Sequence, residues 1–277
     1  MPLRLSIVTP SFNQARFLEA AMQSVLRQPG PPPEYVVMDG GSTDGSAEII
    51  QRHTASLAHW QSAPDAGQYD AVTRGFARTS GEIMAWLNSD DLYCPWAFSV
   101  VREIFEALPE VQWLTTTMQI RWDSEARPVR TLHVPGYARS AYLLGEHLPA
   151  KGAFALGWIQ QESTFWRRSL WEKAGAQIGA GYPLAGDFEL WARFFQHAEL
   201  YAVETPLGGF RFHGDQKTGG DRMDYLTEAE RALTAHGGRR HSAFSRFLRR
   251  RGFGTHAAKI VRHNRKTGAW SVVEKRV

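Results

Sequence analysis

A single cysteine, Cys94, stands among 277 residues, so no internal disulfide framework can form and a reducing compartment fits the chain. No apolar stretch approaches the ~20 residues that a membrane-spanning helix requires. No leader-like segment precedes the first apolar run, which argues for a cytoplasmic setting. Internal repeats are missing too. The net charge of +4 is small, but acids are scarce in one region: residues 231–277 hold 13 of the 32 Lys and Arg residues and one of the 28 acids, Glu274. The chain thus divides into a body of net −8 and a tail of net +12. Its length suffices for one large core, or for two halves sharing one sheet.

What is present is most legible at Ile83 to Leu87, a short apolar run that stops at Asn88-Ser89-Asp90-Asp91. Such a run reads as a buried strand of a parallel sheet. Acids at its carboxyl end lie where open α/β sheets bind ligands. Adjacent carboxylates repel and call for a cation; hard oxygen ligands suit Mg²⁺ or Mn²⁺ carried in with a phosphate group. The alternative is a solvated acidic turn with Asp91 capping the next helix. Upstream, Leu5 to Val8, Tyr35 to Met38 and Trp60 to Ala63 read as further strands. Helical stripes follow them, one with Phe17, Leu18, Ala21, Met22, Val25 and Leu26 on a single face, another over Tyr69 to Ala77. Strand–helix alternation predicts a mainly parallel, doubly wound α/β sheet flanked by helices. Its polar strand-end loops should gather on one edge.

Four of these loops, in order, are Pro10-Ser11-Phe12-Asn13, Asp39-Gly40-Gly41-Ser42-Thr43-Asp44, Pro64-Asp65-Ala66-Gly67-Gln68-Tyr69-Asp70-Ala71 and Leu87-Asn88-Ser89-Asp90-Asp91. Together they resemble the nucleotide-sugar half of family 2 glycosyltransferases of the GT-A fold, a likeness running from about Leu5 to His213. The resemblance implies that Thr9, Pro10, Phe12 and Asn13 line a base and ribose pocket, or form only a turn. It implies that Asp39 accepts a base N–H, against the alternative of a carboxylate holding its own turn. Asp65 and Gln68 would face the donor or cap the helix at Tyr69, and Asp70 lies in that helix's first turn, where a carboxylate also complements the dipole. Asp90 takes the family's metal-binding role at the diphosphate. Asp91 would join the metal, or hold a water, a sugar hydroxyl or the loop. Asn88 replaces a common family acid and could still hydrogen-bond ribose beside Ser89.

The second half should supply acceptor site and base. Gly186-Asp187 heads an apolar helical face of Phe188, Leu190, Trp191, Phe194 and Phe195, and resembles the family's Glu-Asp motif with glycine in place of glutamate. Asp187 is then the general base of an inverting transfer, since an alcohol attacks only as its proton leaves. Its alternative is a helix N-cap, with Glu189 the fallback base and Arg193 an ion-pair partner. Arg211-Phe212-His213 resembles the family's Arg-x-His segment. His213 reads as a further metal ligand or a loop histidine, and Arg211 and Lys217 as diphosphate contacts or solvated cations. Gln160 to Ser163 reads as a loop entering a strand near the acceptor. Trp158, Trp166, Trp171 and Trp191 read as sugar-stacking or, more commonly, core residues.

The predicted organisation is a nucleotide-sugar half at 1–116, an acceptor half at 117–230 of the same domain, and a basic extension at 231–277. Within the extension, Phe244, Phe247 and Leu248 alternate with Arg246 and Arg249 to Arg251, and Ile260 and Val261 with Lys259, Arg262, Arg265 and Lys266. This predicts one or two amphipathic helices that lie on an anionic membrane, or pack on the acidic body or at a homodimer contact. No nucleic-acid-binding fold is recognised in the run. The resemblance implies a Mn²⁺- or Mg²⁺-dependent transfer from a nucleotide-diphosphate sugar, most simply UDP-linked, to a glycan or lipid-linked acceptor of surface polysaccharide assembly. The Gln-x-x-Arg-Trp string of processive members has no counterpart after Asp187; the nearest, Gln119-Ile120-Arg121-Trp122, is one residue short and precedes it. Competing readings are a sugar-phosphate nucleotidyltransferase, whose basic glycine-rich loop is missing after Thr9, and a non-catalytic nucleotide- or glycan-binding module.

Overall fold

The computed structural model describes residues 3–148, 156–179, 181–214, 222–240 and 256–277. In chain order its elements are β1 (Leu5–Ser11), α1 (Ala15–Leu26), β2 (Glu34–Asp39), α2 (Ser46–Arg52), β3 (His59–Ser62), α3 (Gln68–Phe76), β4 (Ile83–Trp86), β5 (Leu92–Tyr93), α4 (Ala97–Ala107), β6 (Trp113–Thr116), β7 (Met118–Trp122), β8 (Pro128–His133), α5 (Arg139–Leu143), β9 (Phe165–Arg167), α6 (Arg168–Lys173), α7 (Gly186–His197), β10 (Leu200–Val203), β11 (Gly208–Arg211), α8 (Arg222–Ala235), β12 (Ala257–Asn264) and β13 (Ala269–Arg276). A one-turn 3₁₀ segment, Gln161–Ser163, precedes β9.

Among the described residues the central sheet has nine strands in the order β13-β12-β10-β6-β9-β4-β1-β2-β3. β1 pairs in parallel with both β2 and β4, and β2 with β3, so the carboxyl ends of these four strands share one edge. β9 runs antiparallel between β4 and β6 and joins the two halves. A smaller sheet, β5-β11-β7-β8, lies beside that edge. The interior strands β1, β2, β4 and β6 are largely buried because both faces are covered. Val8, Met84, Trp113 and Ile260 pack into one core, while Ile7, Ala85, Leu114 and Val261 pack into the other. α1 seals the second core through Leu18, Ala21, Met22 and Val25. Trp86, Trp113, Trp166 and Trp191 form the aromatic centre of the first, with Trp86 and Trp191 stacked at 5.9 Å. Trp166, Trp171 and Trp191 are therefore core residues; Trp158 alone of the four remains half-buried, with the Arg121 guanidinium 5.3 Å from its ring.

The helical reading of the basic extension is corrected over 257–276, where the chain forms the antiparallel hairpin β12–β13. β12 lies between β10 and β13. Adjacent Ile260 and Val261 are both buried there because alternate side chains of an interior strand enter opposite cores. Arg262 reaches Glu204 at 2.8 Å and Trp270 reaches Glu103 at 3.0 Å, tying the hairpin to the acidic body. The expected helix around Phe244 to Arg251 lies outside the described residues. Among the described residues no helix is long and apolar enough to cross a membrane.

Candidate active site

The β1 loop turns at Asn13, whose φ of +51° is in the left-handed region. Its Oδ1 accepts the Thr43 N–H at 3.0 Å, which staples this loop to the one after β2. Phe12 stands 56% exposed at the edge. Thr9 and Pro10 are buried at the end of β1, and the Thr9 hydroxyl accepts a hydrogen bond from Tyr35 at 2.9 Å. Asp39 is 2% exposed and holds its own turn. Its Oδ2 accepts from Ser42 N–H at 2.9 Å and Ser62 Oγ–H at 2.6 Å, and its Oδ1 from Ser42 Oγ–H at 2.5 Å. These bonds fit the turn-carboxylate alternative.

Asp65 caps its loop through Gly67 N–H at 2.8 Å. A side chain at Gly40 would meet Asp65 Oδ2 at 3.1 Å and the Phe12 ring at 3.2 Å, so three loops converge closely there. Asp70 accepts Ala66 N–H at 3.2 Å and pairs with Arg74 at 3.4 Å; it braces the start of α3 rather than facing the edge. Gln68 donates to Asn88 Oδ1 at 2.7 Å. Asn88 in turn donates to Asp91 Oδ2 and to Gln161 Oε1, both at 3.2 Å. The amide that replaces an acid is therefore the hub joining α3, the β4 loop and the 3₁₀ turn. Ser89 beside it is buried.

The neighbouring carboxylates of Asp90 and Asp91 point to different tasks. Asp91 is fully buried; its Oδ1 accepts the Arg211 backbone N–H at 2.9 Å and its Oδ2 the Asn88 amide. Of its expected roles these bonds fit that of holding the loop. Burial, with Asp90 and Glu162 nearby, pushes its carboxyl well up. Asp90 instead meets His213, with Oδ2 and Nε2 3.1 Å apart. The His213 ring is stacked on Phe17 at 4.1 Å, and the buried Arg211 guanidinium lies 5.2 Å from the same ring. Lys217 lies outside the described residues.

Asp187 opens α7. Its Oδ1 accepts the Phe188 N–H at 2.7 Å and the Tyr225 hydroxyl at 3.1 Å. Burial raises its carboxyl to about 6 despite these bonds. The N-cap alternative fails, because the cap position is Ala185 and no side chain caps it. Glu228 from α8 takes the Leu184 and Ala185 N–H groups instead, both at 2.9 Å. Glu189, the fallback base, is engaged by Arg193 at 2.9 Å and His236 at 3.1 Å. Gly186 stands where a glutamate was expected because a Cβ there would meet the Tyr69 ring at 2.7 Å.

Glu162 was read only as part of a loop, yet burial pushes it to about 7, with Asp90 and Asp187 both adding to the effect. It therefore sits in the electrostatic field of both. The polar run Gln160-Gln161-Glu162 ahead of an apolar strand was the available signal. Tyr69 and Tyr225, which frame Asp187, had none. Among the described residues no three acids, histidines or cysteines gather to hold a metal. One carboxylate and one imidazole, Asp90 and His213, fit a cation whose remaining ligands are water and diphosphate oxygens. The arrangement offers a divalent cation the Asp90–His213 pair and, separately, a buried carboxylate at Asp187 that can accept a proton.

Residues 6–159 match the family Glycosyl transferase family 2. An uncharacterized glycosyltransferase of Nostoc is 33% identical over 113 residues, 38% of this chain and 33% of the relative. A Mycobacterium tuberculosis PGL/p-HBAD biosynthesis glycosyltransferase is 35% identical over 89 residues, 31% of this chain and 35% of the relative. The chain spans little more than a third of the length of the curated relatives it matches, 33% to 39% for the first of them. The structure of Staphylococcus aureus TarS 1-349 in complex with UDP-GlcNAc superposes with a TM-score of 0.60 at 13% identity, covering 91% of this chain and 74% of that one. At that identity the likeness speaks for the fold, which is the GT-A fold.

Proposed function

Because the chain belongs to glycosyl transferase family 2, we propose that it transfers a sugar from a nucleotide-diphosphate donor, UDP-linked, to a hydroxyl of a glycan or lipid-linked acceptor, with inversion and without processive polymerisation. Surface glycan assembly is the setting this reading favours. The observation that supports it is that Asp90, paired with His213 at 3.1 Å, and the half-buried Asp187 both act on the buried Glu162 between them in the electrostatics of the site. Residues 1–116 act as the donor half and 117–230 as the acceptor half.

Asp187 takes the proton of the acceptor hydroxyl as its oxygen attacks the anomeric carbon from the face opposite the diphosphate. The sugar passes through an oxocarbenium-like state; Glu162 lies in the field of both Asp90 and Asp187. Asp90 and His213 would hold Mn²⁺ or Mg²⁺, which when bound offsets the charge on the departing diphosphate. Arg211, buried behind them, adds a fixed positive charge. Asp91, Asn88 and Gln68 keep the β4 loop in shape through their shared hydrogen bonds.

A thermal-shift screen against UDP, GDP, dTDP and CMP, each with Mn²⁺, Mg²⁺ or EDTA, tests the donor site, because a ligand of the folded state raises the midpoint by mass action. The expected outcome is a rise with UDP that EDTA removes and that Asp90→Ala lacks. A rise that survives EDTA would remove the cation from the reading. No rise with any nucleotide would leave a non-catalytic module.

A further inference from the structure

His147 belongs to none of the strand-end loops, yet it is 1% exposed and lines the same small recess as Asp187. Its Nδ1 lies 2.7 Å from the Gly157 carbonyl oxygen. A carbonyl only accepts, so Nδ1 carries the proton and Nε2 presents a lone pair. Burial pushes the imidazole down to about 4, so it is neutral at pH 7. Among the described residues Nε2 has no hydrogen-bond partner. The recess is about 10 Å³, closed further by Tyr142, Trp158 and Trp191. A volume of roughly 10–15 Å³ holds one water, and a buried polar atom without a protein partner is where such waters sit.

We propose that one water occupies this recess, donating one hydrogen to His147 Nε2 and the other to the Asp187 carboxylate, and that His147 positions and tunes the base through it. The role assigned to Asp187 rests on the function proposed above; the water itself does not. Since Nε2 can only accept, the water's orientation is fixed, and its second hydrogen stabilises the charged form of Asp187. That bond works in the same sense as the Tyr225 hydroxyl and the Phe188 N–H, and against burial. The other titratable groups facing Asp187 are Tyr69, Tyr142 and Glu162. Those facing His147 are Tyr137, whose ring lies 5.2 Å from the imidazole, Tyr142 across the recess, Glu146, and His256, whose Nε2 is 3.4 Å from Glu146 Oε2.

The test is an NMR titration of the Asp187 carboxyl in ¹³C-aspartate-labelled protein, assigned by Asp187→Asn. His147→Phe should raise the midpoint by about half a unit. His147→Gln, whose amide oxygen can still accept, should return it to the wild-type position. An unmoved midpoint in His147→Phe, or equal shifts in both variants, overturns the proposal. Should His147→Phe not fold, a crystal structure of the unaltered protein decides alone: a water within hydrogen-bond distance of both His147 Nε2 and Asp187 supports the bridge, and a dry recess or a water on one partner overturns it. Neither readout uses a nucleotide sugar, so failure of the transferase reading would leave both interpretable.

Discussion

A carboxylate that serves as base must be charged when the acceptor arrives, and burial of Asp187 works against that. With its carboxyl held at about 6, the transfer rate should climb through pH 6 and level off above 7; a rate that is flat between pH 5 and 8 would remove Asp187 from the chemistry. Asp187→Asn should cost about 10²- to 10⁴-fold in turnover while leaving the UDP-induced thermal shift in place. Stability should move the other way. Asp187 and Glu162 are raised in the folded state, to about 6 and about 7 from ordinary values of 3.8 and 4.5. Between those limits these two acids bind more protons in the folded protein than in the unfolded chain and outweigh the opposing contribution of His147, lowered to about 4, so stability falls as pH rises. The melting midpoint without ligand should therefore be higher at pH 5.5 than at pH 8, and Glu162→Gln should flatten that slope. A midpoint independent of pH would show that the two acids are better solvated than their burial implies.

Strands β1 to β4 and helices α1, α3 and α7 were legible because each strand is a short apolar run broken by a polar loop and each helix shows one apolar face. The roles of Asp39, Asp70 and Asp91 were not. A carboxylate that faces a ligand and one that closes a turn share the same sequence context, and only the partners, such as Ser42 and Ser62 around Asp39, separate them. Hairpin β12–β13 was misread because an adjacent Ile260-Val261 pair among basic residues fits a helix face as well as a two-sided strand. The glycine in place of the expected glutamate also needed three dimensions. Tyr69, from α3, fills the space at Gly186 and donates its hydroxyl to Leu184 O at 2.9 Å. Gly186→Ala should accordingly destabilise the protein by about 1–3 kcal/mol through overpacking, measured by urea denaturation. Wild-type stability in that variant would mean that α7 shifts freely against α3.

The nine-stranded sheet takes residues 257–261 into both of its cores. Deleting 257–277 should expose the β10 edge along with the apolar surface that Ala258, Ile260 and Val261 cover. The shortened chain should then aggregate or melt far below the full one, as read by size-exclusion chromatography and thermal scanning. A shortened protein that stays monomeric with an unchanged midpoint would make the hairpin an ornament. The same arrangement sets a constraint on the order of events during synthesis. β1 through β4 can pair as soon as they leave the ribosome, but β10 has β6 on one side and must wait for β12 on the other. Until those late residues emerge, the nascent chain carries an open strand edge, free to pair with a neighbouring copy on the same message.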